Sequence, residues 1–307
     1  MLRAAVAAAL LCTIAHGAPA RILVVAVAQA QTNDAREAVV LGPNAQVYEP
    51  DGKGAWFRRH EGGIADVVVQ ASRAGAHVIV GVASGPPYAS RPGAAGDGAW
   101  QMIVLGLHAK AVVGRGPRAT AAFGRQVFGL ETGKPVHLPD APAPVLALAA
   151  SNKAVVVATD QGLARLEGKG WKPLASAPRY VSAILDDRWA LTDRGLLDLR
   201  SQKVTAWPTG FRVSSVVAVD NDLVVAAGMQ GANLELVILK AGKLEHETIG
   251  VKLSHIVALA ADRVGRVVVA APDGELAVRD PAGLWTATKV RDELPTARPG
   301  AAPAVQW

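Results

Sequence analysis

Thiols are almost missing from this chain. Cys12 is the sole cysteine among 307 residues, and it lies inside an apolar N-terminal stretch. If that stretch is removed, the mature protein has no disulfide, thiol nucleophile, cysteine–zinc site, iron–sulfur cluster or c-type haem attachment. Such an absence is ordinary for a bacterial envelope protein and odder for a small eukaryotic secreted domain. Aromatics are scarce at 5%, which leaves Val, Ala and Gly to do most of the packing. Charged residues are only 19%, half the chain is hydrophobic and mean hydropathy is +0.23. A disordered polyelectrolyte is therefore excluded, because a chain this apolar can bury a real core. No N-x-[ST] sequon occurs, and no long helical periodicity follows the first residues.

What is present begins with an address. Arg3 precedes an apolar run from Ala4 to Ala15, followed by His16-Gly17-Ala18-Pro19-Ala20. A basic start, a short apolar run and small residues read as a secretory signal peptide over residues 1–20. Cleavage after Ala18 or Ala20 fits, and Ala28-Gln29-Ala30 offers a further site. The run is too short for a membrane span, which needs about 20 residues, and no other stretch approaches one. Leu11 before Cys12 disfavours lipidation. The expected location is periplasmic or secreted. The formal net charge of +6 falls to +5 with the loss of Arg3. That surplus favours anionic surfaces such as acidic polysaccharide or lipid headgroups. The basic residues are scattered rather than interleaved with aromatics, so nucleic acid is not an expected partner.

From residue 22 to residue 290 the chain repeats. Apolar starts recur at Ile22, Val67, Ala111, Val145, Val181, Val213 and Ile256, about 30–45 residues apart, the spacing of propeller blades. The fourth unit spells four short strands. Val145–Ala150 and Ala154–Thr159 are apolar, Leu163–Glu167 alternates, and Trp171–Leu174 closes the unit. Turn residues separate them. The seventh unit repeats the order from Ile256 to Thr288. An outer-strand tryptophan recurs as Trp56, Trp100, Trp171, Trp207 and Trp285, while units three and six carry Pro135-Val136-His137 and Leu244-Glu245-His246 there. Short strands divided by Gly, Pro and Asp turns predict an all-β fold, a seven-bladed β-propeller with four short antiparallel strands per blade. It spans residues 21–290, with a Pro/Ala-rich tail over 291–307. Units one and seven each read as complete, so ring closure needs no borrowed strand.

On these residues the chain resembles the bacterial extracytoplasmic propellers of the WD40/quinoprotein-like superfold. The strand–turn–Gly–x–Trp habit, Gly168 to Trp171 and Gly283 to Trp285, is similar to the sensor propellers of two-component systems. Gly129-Leu130-Glu131-Thr132-Gly133-Lys134 is similar to a turn of quinoprotein-type blades. The GH…WD pair, the kelch double-glycine series and an S-x-D-x-G-x-T-W box are not found. The resemblance therefore implies a fold rather than an activity.

Candidate chemistry dissolves on inspection. Gly114-Arg115-Gly116-Pro117-Arg118-Ala119 matches G-x-G-x-x-A, but Gly124 interrupts the helix a dinucleotide would need, so a turn between two strands is expected. Ser84 is one residue out of register for a nucleophile elbow. His60-Glu61 and His246-Glu247 lack the second histidine of a zinc protease. Asp220-Asn221-Asp222 opens like a calcium loop without its glycine or closing glutamate, and reads as turn chemistry. No catalytic residue, metal site or cofactor is expected.

The functional surface of a propeller is expected where the connections before each first strand and the second-to-third strand turns surround the channel. There the sequence places Asp66, Tyr88, His108, Arg179, Tyr180, Phe211, Arg212, Lys252 and His255. Exposed Tyr, Phe and Arg suit protein recognition. The leading expectation is thus a non-enzymatic envelope or secreted propeller that binds another protein as part of an assembly. The alternative is a propeller hydrolase or lyase acting on a sugar or lactone, built from His108, His255 and Asp66.

Overall fold

The computed structural model describes residues 26–291 apart from 29–38, 43–44, 51–55, 61–63, 65–67, 75–76, 83–87, 91–99, 103–110, 116–117, 132–133, 151–153, 175–180, 186–187 and 263. Every regular element within them is a strand. Unit one holds β1 (Ala26–Ala28), β2 (Val39–Leu41), β3 (Val47–Pro50) and β4 (Trp56–His60). Unit two holds β5 (Val68–Ala74), β6 (His77–Val82), β7 (Tyr88–Ser90) and β8 (Trp100–Met102). Unit three holds β9 (Ala111–Arg115), β10 (Arg118–Phe123), β11 (Gln126–Glu131) and β12 (Lys134–Leu138). Unit four holds β13 (Val145–Ala150), β14 (Val155–Thr159), β15 (Gly162–Glu167) and β16 (Gly170–Pro173). Unit five holds β17 (Val181–Ile184), β18 (Trp189–Thr192), β19 (Gly195–Asp198) and β20 (Val204–Thr205). Unit six holds β21 (Phe211–Ala218), β22 (Leu223–Gln230), β23 (Asn233–Lys240) and β24 (Lys243–Thr248). Unit seven holds β25 (Ala258–Ala261), β26 (Val267–Ala270), β27 (Glu275–Arg279) and β28 (Trp285–Arg291).

Each unit is an antiparallel meander whose strands pair in chain order. The meanders pack face to face, because each sheet is apolar on both sides and a meander alone cannot bury either. One core cluster joins Leu41 and Val47 of unit one to Val80, Val82 and Trp100 of unit two. Another joins Ala149, Val156 and Leu163 of unit four to Ile184 and Leu197 of unit five. A third joins Val225 and Leu236 of unit six to Val267 and Val269 of unit seven. A fourth closes the circle, setting Tyr48 and Trp56 of unit one against Ala258, Leu276 and Val290 of unit seven. Leu276 is fully buried there, which contributes about 1.5–3 kcal/mol relative to exposure. First strands touch around the axis: β1 lies against β5 and β25, β5 against β9, β9 against β13, β13 against β17 and β21 against β25. The fold is a β-propeller. Small residues line those first strands, with Ala147, Ala149 and Ala150 in β13 and Ala258, Ala260 and Ala261 in β25. That is the crowding near an axis that the composition foreshadows.

Closure uses a device absent from the sequence reading. Units one and seven are both complete, yet β28 also pairs in parallel with β4, Val290 opposite Trp56 and Arg291 opposite Phe57. The two meanders become one eight-stranded sheet. Arg291, assigned from sequence to the tail, is the last residue of β28.

The turns follow local chemistry. In Thr159-Asp160-Gln161-Gly162, the Thr159 hydroxyl donates to the Gly162 carbonyl at 3.0 Å and accepts from Gln161 N–H at 3.2 Å. Thr192-Asp193-Arg194-Gly195 repeats both bonds at 2.8 and 3.2 Å. Gly195 has φ +136°, and a Cβ there would stand on the Thr205 carbonyl, so glycine is required. The G-x-G-x-x-A match spans the β9–β10 hairpin, with 116–117 outside the described residues. Asp220-Asn221-Asp222 is the β21–β22 turn, where Asp222 N–H donates to Asp220 Oδ1 at 2.8 Å.

Four of the five recurring tryptophans occupy fourth strands: Trp56 in β4, Trp100 in β8, Trp171 in β16 and Trp285 in β28. Trp171 and Trp285 also stitch their unit to the preceding one. Trp171 Nε1 donates to the Pro139 carbonyl at 2.9 Å, and Trp285 Nε1 donates to Glu247 Oε1 at 3.0 Å. Trp207 corrects the expectation. β20 ends at Thr205, and Trp207 lies in the connection to unit six, edge-on to Phe211 with ring centroids 5.9 Å apart.

Candidate functional site

The second-to-third strand turns and the connections between units share one face of the ring, here called the upper face. The other two turn sets share the lower face. At the upper end of four first strands the ladder slips. In β13, Val145 pairs with Thr159 and Ala147 with Ala158, leaving Leu146 as an extra residue. β17 slips around Ser182, β21 around Ser214, and β5 around Val69. A bulge of this kind re-aims one side chain out of the alternation, and such bulges gather at barrel rims and beside binding sites. Leu146 is 64% exposed although the rest of β13 is buried. Ser182 and Ser214 are exposed as well, and the Ser182 hydroxyl donates to the Leu191 carbonyl at 3.2 Å. Units four, five and six are consecutive, so Leu146, Ser182 and Ser214 form an arc beside the channel mouth.

Arg212, two residues before the Ser214 bulge, is exposed and pairs with Met229. The backbone there is tightly drawn: a Cβ on Gly228 would collide with the Arg212 carbonyl and reach Phe211 Cζ at 3.0 Å. Glycine lets β21 and β22 approach at the bulge.

Of the nine residues singled out from sequence, Asp66, His108, Arg179 and Tyr180 lie outside the described residues. Two others correct the expectation of exposed aromatics. Phe211 is buried and packs among Ala226, Val237 and Trp207. Tyr88 is half-buried against the core shared by units one and two. An aromatic ring at a strand start finds apolar neighbours across the unit seam, and burial there outweighs display. Arg212, Lys252 and His255 are exposed, the last two on the connection leading into β25. The bulged residues were not singled out. Val145-Leu146-Ala147-Leu148 reads as uninterrupted buried strand, and only pairing with β14 reveals the slip.

Among the described residues, no group of three or more His, Cys, Asp and Glu is placed to hold a metal ion. Nor does any helix there have the length and apolarity to cross a membrane. The mouth offers hydroxyl, aliphatic and guanidinium groups, the equipment of a contact surface.

The architecture is similar to several solved propellers. The WD40 β-propeller domain of Doa1 superposes with a TM-score of 0.59 at 12% identity, covering 84% of this chain and 92% of that one. PorZ, a bacterial surface component of the type-IX secretion system of Porphyromonas gingivalis, gives a TM-score of 0.61 at 12% identity. It covers 92% of this chain, which spans 39% of PorZ. YCF48 bound to D1 peptide gives 0.52 at 14% identity, with 85% of this chain and 91% of that one covered. No protein-family model and no curated protein matches the sequence. At such identities the likeness speaks for architecture, and on the strand order and the closed ring the chain has the β-propeller fold.

Proposed function

We propose that this protein is an exported, non-enzymatic propeller that binds another protein of the cell envelope or its exterior through the upper face, as a scaffolding module. The observation that carries the reading is Leu146. An aliphatic side chain lifted 64% into solvent from an otherwise buried strand forgoes burial. With the exposed Ser182, Ser214 and Arg212 on the same face, it supplies the apolar and polar groups that recognition patches combine. Two of the similar proteins are in keeping with this role: YCF48 is bound to D1 peptide, and PorZ is a bacterial surface component of a secretion system. The basic start and apolar run of residues 1–20 supply the export signal.

The test places a photo-crosslinking residue at position 146 or 214 in the full-length chain expressed in its native host. The comparison positions are 264 and 284, where Val264 and Leu284 are 63% and 68% exposed on lower-face turns. Adducts to one identified envelope protein from 146 and 214, reproduced with that protein purified, support the reading. Adducts confined to 264 and 284, or none from any position, overturn it. N-terminal sequencing of the mature protein should begin after Ala18 or Ala20, and a retained Met1 would remove the export assignment.

A further inference from the structure

On the upper side of unit seven, away from the bulge arc, the outer strands and the connection from unit six enclose a pocket of about 390 Å³. That volume falls in the range of ligand sites, ~300–1,000 Å³. Its walls are built by strand alternation. Glu275 stands directly opposite Lys289 on the β27–β28 ladder, so both side chains share one face of the sheet. Arg291, two residues further along β28, shares it too. Lys252 reaches over from the connection, and the exposed Ala287, on the same sheet face as Lys289, and the edge of Leu253 supply the apolar part of the wall. Three cations thus surround one carboxylate.

Among the described residues no carboxylate lies within ion-pair distance of Lys252, Lys289 or Arg291. The Arg291 guanidinium lies 5.8 Å from the Phe57 ring centroid, across the parallel β28–β4 pair. A cationic side chain leaning on an aromatic ring keeps its N–H groups available. Lys252, Lys289 and Arg291 are all exposed at the rim, while Glu275 is half-buried. An incoming anion would meet the positive groups first.

We infer that this pocket binds an acidic peptide segment of a partner protein, one in which a carboxylate stands beside an apolar side chain. The carboxylate would bridge Lys289 and Arg291, with Lys252 closing from the opposite wall, and the apolar neighbour would rest on Ala287 and the edge of Leu253. A carboxylated polysaccharide fits less well, since its repeated charges would face Glu275 and its hydroxylated rings match Ala287 and Leu253 less well than an aliphatic side chain does. The inference deepens the protein-binding reading and rests on it. It names a second contact on the upper face and the chemistry of what fills it.

The experiment uses the mature full chain and fluorescein-labelled peptides read by anisotropy. One peptide alternates Asp or Glu with Leu, a second replaces each acid by its amide, and polygalacturonate serves as an unlabelled competitor. The acidic peptide is expected to bind, with an affinity that falls as salt rises, and the amide peptide to bind at least tenfold more weakly. Removing one cation as Lys289→Gln or Arg291→Gln should weaken binding by about tenfold, the fold-change of one lost charge-assisted contact. Lys243→Gln changes the net charge equally on the lower face and should leave binding within about twofold, the scale of a screened surface charge. Equal binding of acid and amide peptides, equal losses in Lys243→Gln and Lys289→Gln, or displacement by polygalacturonate at lower carboxylate concentration than by unlabelled peptide would each overturn the inference. If crosslinking at 146 and 214 persists while the peptide fails to bind, this pocket assignment falls and the upper-face reading stands. If both fail, the upper-face reading falls with it.

Discussion

Two ion pairs of nearly equal length offer a test of what holds neighbouring units together. Arg279 Nε donates to Glu247 Oε1 at 2.6 Å, and Lys172 Nζ lies 2.5 Å from Glu167 Oε2. Only the first joins two units. Arg279 and Glu247 are 16% and 33% exposed, against 69% and 44% for Lys172 and Glu167. Glu247 also accepts from Arg279 Nη2 at 3.2 Å and Trp285 Nε1 at 3.0 Å, so one carboxylate serves three donors. In Glu247→Gln the oxygen facing Arg279 Nε loses its charge, and an amide N–H₂ replaces one acceptor. Each charge-assisted bond is worth roughly 1.5–3 kcal/mol. Discounting for partial exposure, a net loss of about 2 kcal/mol is expected, which in a chain this large lowers Tm by about 4–8 °C. Glu167→Gln, a solvated pair within one hairpin, should leave the transition where it was. Differential scanning calorimetry of the two variants and wild type at one pH and ionic strength reads both shifts. Equal shifts, or a larger one for Glu167→Gln, would refute the claim that seam burial rather than ion-pair length decides the contribution.

Two further outcomes follow from single residues. Burial pushes the Asp198 carboxyl up, but the Arg200 and Ser201 N–H groups and the Arg188 guanidinium outweigh it and hold it below the usual carboxylate value. Its contribution is then full above the unfolded value near 4 and is lost as pH falls through the lower folded value. The stability gap between wild type and Asp198→Asn, from urea midpoints, should hold steady from pH 7 to about 4 and shrink below that; a gap that widens in acid would contradict it. Gly228→Ala should cost about 1–3 kcal/mol by urea denaturation, because its methyl has no room beside the Arg212 carbonyl; a neutral substitution would show that β21 and β22 do not approach so closely.

Much of the architecture could be read from residues, and the reasons for the exceptions are local or distant in a definite way. β27 spans Glu275–Arg279 as expected, because Asp273-Gly274 and the Asp280–Gly283 turn fix both its ends. β15 follows from Leu163 and Leu166 between glycine turns. Trp207 was assigned to a strand by analogy with its sister residues, but Pro208-Thr209-Gly210 follows it and Phe211 offers a ring to pack on. The β28–β4 clasp left no local signature, since Val290 and Trp56 are far apart along the chain and each looks like an ordinary outer-strand residue. Exposure is the least legible quantity. Phe211 reads as displayed and is buried, and Leu146, which reads only as part of an apolar strand, is exposed, because register and seam neighbours rather than residue type decide them.

Those reversals separate two kinds of work within one unit. Arginines at the lower ends of their strands tie two of the seams: Arg188 donates to Asp198 within unit five and to the Asn221 carbonyl and Asp222 in the first turn of unit six. Arg279, at the lower end of β27, gathers Glu247 together with the Gly265 and Asp280 carbonyls. The upper ends of β13, β17 and β21 instead carry slipped ladders, where one residue per strand leaves the regular pairing. A slip costs ladder hydrogen bonds and is tolerable only in a frame held elsewhere. Stability and partner capture should therefore come apart on substitution. Leu146→Ser removes a side chain that is already mostly in water, so the unfolding transition should hardly move while crosslinking at position 214 declines. Glu247→Gln should do the reverse. Had the bulges been irregularities without a role, the first variant would leave both properties untouched.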